Sequence, residues 1–113
     1  MDTATLDTAR STLEGERARL RAELDEGIES PGQMTYGSQA AAASQVFAQQ
    51  RDLALREKAE KELALVQAAL ERIEAGTFGR CLRCGREIAA GRLEALPWAA
   101  YDIDCQRLVN EGR

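Results

Sequence analysis

Residues 77–105 read TFGRCLRCGREIAAGRLEALPWAAYDIDC. All three cysteines of the 113-residue chain fall within this stretch, with Phe78, Trp98 and Tyr101, three of the five aromatics. Cys81-Leu82-Arg83-Cys84-Gly85 is a knuckle pattern. Two residues between thiolates let the chain fold back so that both sulfurs reach one ion. Gly85 supplies a backbone conformation that other residues resist, which helps amides point at the sulfurs. Cys105 offers a third thiolate, and Asp102 stands where a second Cys-x2-Cys pair would begin. The full pattern is Cys-x2-Cys-x17-Asp-x2-Cys, a spacing within the range of four-cysteine sites. A carboxylate oxygen binds zinc at about 2.0–2.2 Å against about 2.3 Å for sulfur, so Asp102 can close a tetrahedral shell. The reading is a structural Zn2+ held by Cys81, Cys84, Asp102 and Cys105. Asp104 is a second oxygen donor, although it breaks the spacing.

Two other readings of this stretch stand beside that one. The Cys-x2-Cys pair can serve redox chemistry, although no strand–helix context of the thioredoxin type surrounds it. Alternatively, a metal-free module can fold on Leu82, Ile88, Leu93, Leu96, Trp98 and Tyr101. Arg80, Arg83, Arg86 and Arg92 cluster around the cysteines. Charge runs are usually solvated, so compensation of an anionic metal–thiolate centre is favoured over a contact surface for an acidic partner. Pro97 is placed to open a last short helix, from about Trp98 to Val109.

Upstream, the pattern changes to helical spacing. Leu6, Leu13 and Leu20 recur every seven residues, with Leu24 and Ile28 continuing the stripe, so a helix is expected over residues 4–29. The stripe is too narrow for a globular core and suits a coiled-coil seam. Pro31 ends the helix by excluding Ser30 from the helical region. A second helix is expected from about Gln39 to Ala75, on the stripe Leu55, Ala59, Leu63, Val66, Leu70 and Ile73, with Gly76 as a left-handed cap. Two such stripes joined by a short connection bury each other as an antiparallel hairpin. The second arm is the longer. Its extra turns are expected to carry the chain down to the cysteine module, where the start of the first arm can also pack. The chain is therefore mainly α: an antiparallel coiled-coil hairpin over 1–75, with a tip at about 30–44, and a small zinc-finger module with a C-terminal helix over 76–113.

Composition narrows the function. With no histidine, there is no histidine general base, metal ligand or catalytic triad, and no acid–base pair or nucleophile stands out, so an enzyme is not expected. An odd cysteine count argues against a closed disulfide framework. There is no apolar run for a secretory signal or membrane span, and free thiols fit a cytoplasmic setting. Residues 1–75 carry nine basic and fourteen acidic side chains, giving −5, while residues 76–113 carry six and five, giving +1. Such a chain is a poor non-specific binder of nucleic acid, because affinity for phosphates comes mainly from Lys and Arg. A protein partner is expected.

Gly76-Thr77-Phe78-Gly79-x-Cys81-x2-Cys84-Gly85-x2-Ile88, then Arg92-Leu93-x-Ala95-x-Pro97, then Cys105-Gln106, resembles the DksA/TraR zinc-finger family. Gln45-Val46-Phe47, Arg51-Asp52-Leu53-Ala54-Leu55 and Ala69-Leu70-x2-Ile73 extend the likeness into the second helix. The resemblance implies a coiled-coil hairpin beside a four-cysteine zinc finger. It also implies a transcription regulator that binds RNA polymerase without sequence-specific contact to nucleic acid; a monomer is expected. The hairpin would enter the secondary channel, and its tip would alter initiation, often together with ppGpp. Partner contact is then expected at Met34, Tyr36, Ser38, Gln39 and Ala41. Two departures stand out. Asp102 replaces a cysteine of the family pattern. The tip carries no Asp or Glu between Glu29 and Asp52, whereas the best-studied members carry acidic tips. Without carboxylates, a tip offers none of the oxygen donors that a catalytic magnesium prefers. The alternative is accordingly a zinc-stapled stress or adaptor protein with another protein partner.

Overall fold

The computed structural model describes residues 1–26 and 39–113, the side chains of residues 39–41 excepted. The first helix, α1, runs Thr3–Glu26. Asp2 Oδ1 accepts from the Thr5 backbone N–H at 2.7 Å, which satisfies one of the four donors a helix start leaves unpaired. The second, α2, runs Gln39–Ala75, with the bounds expected. It ends because Gly76 takes φ +78°. Thr77 N–H then reaches the Arg72 carbonyl at 2.9 Å, and Gly76 N–H reaches that of Ile73 at 3.2 Å. These are the two bonds of a Schellman cap.

The helices pair antiparallel. Arg10 near the start of α1 meets Glu74 at the end of α2 at 3.6 Å. Leu13 and Leu20 from α1 are buried with Ala59, Val66, Ala69 and Ile73 from α2, and Leu6, Ala9, Leu24, Leu63 and Leu70 flank them. The buried sets are spaced by seven on both strands of the seam, which is coiled-coil spacing. Leu55, placed in the stripe by its spacing, is instead exposed. Because α1 advances against α2 one residue for one, Glu26 falls level with about residue 58. Leu55 therefore lies beyond the reach of the described part of α1.

The same register corrects the expectation about the longer arm. With Arg10 beside Glu74, it is the first turns of α1 that overhang α2 and reach the cysteine module. The extra length of α2, 37 residues against 24, lies toward the connection. At ~1.5 Å per residue α2 alone is about 56 Å long, close to the molecule's longest dimension of 60 Å. The expected tip residues Met34, Tyr36 and Ser38 lie outside the described residues. Gln39 and Ala41 are described by their helical backbone alone.

The chain from Thr77 onward folds back against this end of the hairpin. Buried Phe78, with half-buried Leu93 and Trp98, joins the hairpin core. Cys81, Ile88 and Cys105 form a second small core, flanked by Leu93 and Tyr101, so Leu93 packs against both. Leu82, which the metal-free alternative would place in that core, is exposed: its N–H bonds the Ala100 carbonyl at 2.8 Å, and its side chain faces solvent. Two short helices complete the module, α3 over Ala90–Ala95 and α4 over Ile103–Asn110. Contrary to the expectation from its position, Pro97 does not open α4. It ends α3, because the residue before a proline is excluded from helical geometry and Leu96 takes φ −132°. The chain then turns through Tyr101, and α4 begins where a side chain can cap it, at Asp102.

Candidate metal centre

Two local devices hold the cysteines. The knuckle is a tight hairpin in which Cys81 N–H donates to the Arg86 carbonyl at 2.8 Å and Gly85 N–H to the Cys81 carbonyl at 2.9 Å. Ile88 N–H donates to the Gly79 carbonyl at 2.7 Å, and Arg80 and Glu87 form an isolated antiparallel bridge. Gly79 and Gly85 take φ +86° and +77°, the left-handed region that side chains resist. The other half of the site is the start of α4. Asp102 caps that helix and Cys105 lies in its first turn, one turn on, so both face the knuckle.

The four expected residues come together. One ligand atom from each of Cys81, Cys84, Asp102 and Cys105 lies within 4.8 Å of the others. Cys84 Sγ donates to Asp102 Oδ2 at 3.0 Å. With sulfur at about 2.3 Å and oxygen at about 2.0–2.2 Å from zinc, the edges of the tetrahedron are about 3.5–3.8 Å, inside this range. The donor set fits a tetrahedral zinc. Asp104 stands outside it: the side chain is exposed, and Oδ1 accepts from Arg107 Nη2 at 3.1 Å.

Proton affinities within the cluster differ sharply. Burial pushes the Cys81 thiol up, but backbone N–H groups of Cys84, Asp102 and Arg83 outweigh it and bring the thiol down to about 7. Burial, with the Asp102 carboxylate behind it, pushes Cys105 up to about 12. The Asp102 carboxylate also raises Cys84, which donates to it. In return Asp102 is held at about 2 by the Cys84 thiol and the Cys105 N–H. Asp102 is thus an anion at neutral pH, and any metal taken up displaces thiol protons.

The arginines around the site divide by role. Arg83 Nη1 approaches Cys105 Sγ at 3.9 Å, near enough to offset thiolate charge. Arg92 Nε donates to the Tyr101 carbonyl at 2.9 Å, and Arg80 Nη1 to that of Gly85 at 3.4 Å. Two contributions were not legible in the sequence. Arg72, on α2, reaches the Trp98 carbonyl at 3.4 Å and ties the hairpin to the module. Met1 packs on Gly79, where an added Cβ would come within 2.6 Å of Met1 Cε. Neither follows a repeat or a spacing rule, since each depends on how the hairpin docks.

Residues 76–110 match the family model for the prokaryotic dksA/traR C4-type zinc finger. The RNA polymerase-binding transcription factor DksA of Escherichia coli K12 is 32% identical over 113 aligned residues, covering 96% of this chain and 74% of that protein. The chain belongs to the DksA/TraR family. The structure of transcription factor DksA2 from Pseudomonas aeruginosa superposes with a TM-score of 0.76 at 29% identity, covering 98% of this chain and 87% of that one. An uncharacterized protein of Aquifex aeolicus is 50% identical over 44 residues, which is 39% of this chain but only 30% of that protein. The DksA relatives carry the names of transcription factors, in keeping with a chain read as non-enzymatic. Within the DksA/TraR family frame, this chain departs from a four-cysteine pattern at Asp102, and the geometry accommodates the change. No described helix is long and apolar enough to cross a membrane.

Proposed function

We propose that this DksA/TraR family member is a transcription regulator that binds RNA polymerase with its hairpin. The carrying observation is the similarity to E. coli DksA across the hairpin and the finger together, rather than the finger alone. The shape supports the reading, since a narrow helix pair on a molecule 60 Å long suits insertion into the polymerase's secondary channel. The part of α2 that extends past the described end of α1 exposes Val46, Phe47 and Leu53, apolar side chains available to a protein partner. In this proposal residues 1–75 form the probing arm, and Met34, Tyr36, Ser38, Gln39 and Ala41 line its tip. Residues 76–113 anchor it. A structural Zn2+ on Cys81, Cys84, Asp102 and Cys105 would pin the knuckle to α4. The chain acts as a cytoplasmic monomer and makes no sequence-specific contact with nucleic acid.

Competition binding with the cognate RNA polymerase tests this. Binding is expected, and its absence at tens of micromolar with the finger intact would overturn it. A second reading is a zinc-stapled adaptor for another protein partner, favoured by the tip sequence, which lacks Asp and Glu between Glu29 and Asp52. Ser38→Asp and Ala41→Asp separate the two. If effects on transcription appear only in those variants, the native chain is an adaptor.

A further inference from the structure

The two oxygens of Asp102 point to different partners. Oδ1 accepts from the Cys105 backbone N–H at 2.7 Å and caps α4. Oδ2 faces the cysteines, 3.0 Å from Cys84 Sγ. A carboxylate can divide itself in this way because its two oxygens are about 2.2 Å apart and carry separate lone pairs. From this geometry we infer that Asp102 is a two-function residue: Oδ2 is a monodentate metal ligand, while Oδ1 holds the first turn of α4 in place whether or not metal is bound. The inference rests on the reading of the cluster as a metal centre.

The division has a physical consequence. In a site whose fourth ligand contributes only to the metal, loss of the ion releases every element it pins. Here the α4 cap is a hydrogen bond that needs no ion. The packing of Cys105 on Ile88 and the Leu82–Ala100 and Cys81–Arg86 backbone bonds likewise involve no metal ligand bond. Metal uptake then adjusts the exposed Cys84 side of the knuckle, and α4 stays docked. Metal affinity and helix order become separable properties of one side chain.

Substitutions that split the two oxygens test this. Asn and Ser cap helices about as well as Asp but do not supply an anionic oxygen ligand, whereas Ala supplies neither. Zinc affinity is measured by chelator competition at neutral pH. In parallel, hydrogen exchange of the Cys105 amide is followed by NMR in the metal-free proteins. For Asp102→Asn and Asp102→Ser, zinc affinity should fall by at least about tenfold, the lower end of the loss from removing even an outer-shell partner. Their Cys105 protection should stay within about twofold of the parent. Asp102→Ala should lose zinc affinity equally and Cys105 protection by about fivefold. Unchanged zinc affinity in Asp102→Asn would overturn the ligand role. Equal loss of Cys105 protection in the Asn, Ser and Ala variants, or none in Ala, would overturn the capping role. If the parent itself binds no zinc, the metal reading falls and this inference with it, an outcome the parent measurement alone reveals.

Discussion

Replacing Leu20 with alanine removes three carbons from the centre of the hairpin seam. Leu20 is 1% exposed and shares its core with Leu13, Ala59, Val66 and Ala69. Fully buried Leu→Ala changes cost about 2.7–5.0 kcal/mol, rising with the cavity left behind. Two packed helices with no third layer can close part of that cavity by moving together, so the lower part of the range applies, about 3 kcal/mol. For a chain of this size about 1 kcal/mol lowers Tm by roughly 4 °C, so Leu20→Ala should melt about 12 °C below the parent. Leu53→Ala is the matched control. Leu53 is 58% exposed on the same hairpin, and its truncation should change stability by less than about 0.5 kcal/mol. Urea unfolding followed by circular dichroism at 222 nm, the helix signal that dominates this chain, reads both variants through Cm at constant m. Equal destabilisation by the two changes, or a loss under about 1 kcal/mol for Leu20→Ala, would refute the burial of Leu20 in the hairpin seam.

Three further outcomes are expected. Gly79→Ala places a Cβ at φ +86°, costing about 1–2 kcal/mol, while the flexible Met1 end moves aside; deleting Met1 in the same background should not restore the loss in a thermal melt. Asp104→Ala should leave zinc affinity unchanged in chelator competition, since its carboxylate bonds Arg107 and stands apart from the cysteines; a loss equal to that of Asp102→Ala would displace our ligand assignment. In the metal-free chain, Asp102 is depressed from 3.8 to about 2, so its stabilisation is present above the unfolded value and disappears as pH falls through about 2. Cys105 is raised from 9.0 to about 12, so its contribution is full below 9 and is lost as pH rises toward 12. Trp98 fluorescence across both ranges should show the module loosening at each end, and a flat response would count against the coupling of these groups to the fold.

Much of the molecule is legible in its sequence. The bounds of α2 followed from an apolar period of 3–4 residues ended by a glycine, because helix propagation and capping are local events. The four residues of the candidate metal centre are legible as two x2-spaced pairs, Cys81/Cys84 and Asp102/Cys105, whereas the capped helix start that presents the second pair is a finding of the structure. The start of α4 differs from the sequence expectation for an equally local reason. Pro97 fits a helix start as well as a helix stop, and the stop won because Leu96, which ends α3, stands directly before it. Residue type alone allows Leu82 in a metal-free core, but the chain's backbone bond from Leu82 to Ala100 goes with a side chain that is 59% exposed.

Local sequence patterns suffice for the two long helices, the end of α2 and the four side chains that can meet around one ion. The register of the arms depends on tertiary packing. A stripe repeating every seven residues is satisfied by several alignments; in the fold the one adopted puts Arg10 beside Glu74, with Phe78, Leu93 and Trp98 packed on the same core. Tertiary packing also sets how Asp102 is used. Spacing shows that a carboxylate stands at the fourth position, but only the packed start of α4 against the knuckle sends one oxygen to a backbone amide and the other to the thiols. Periods and caps depend on neighbours in the chain, whereas register and the direction of a side-chain oxygen depend on residues far away in it.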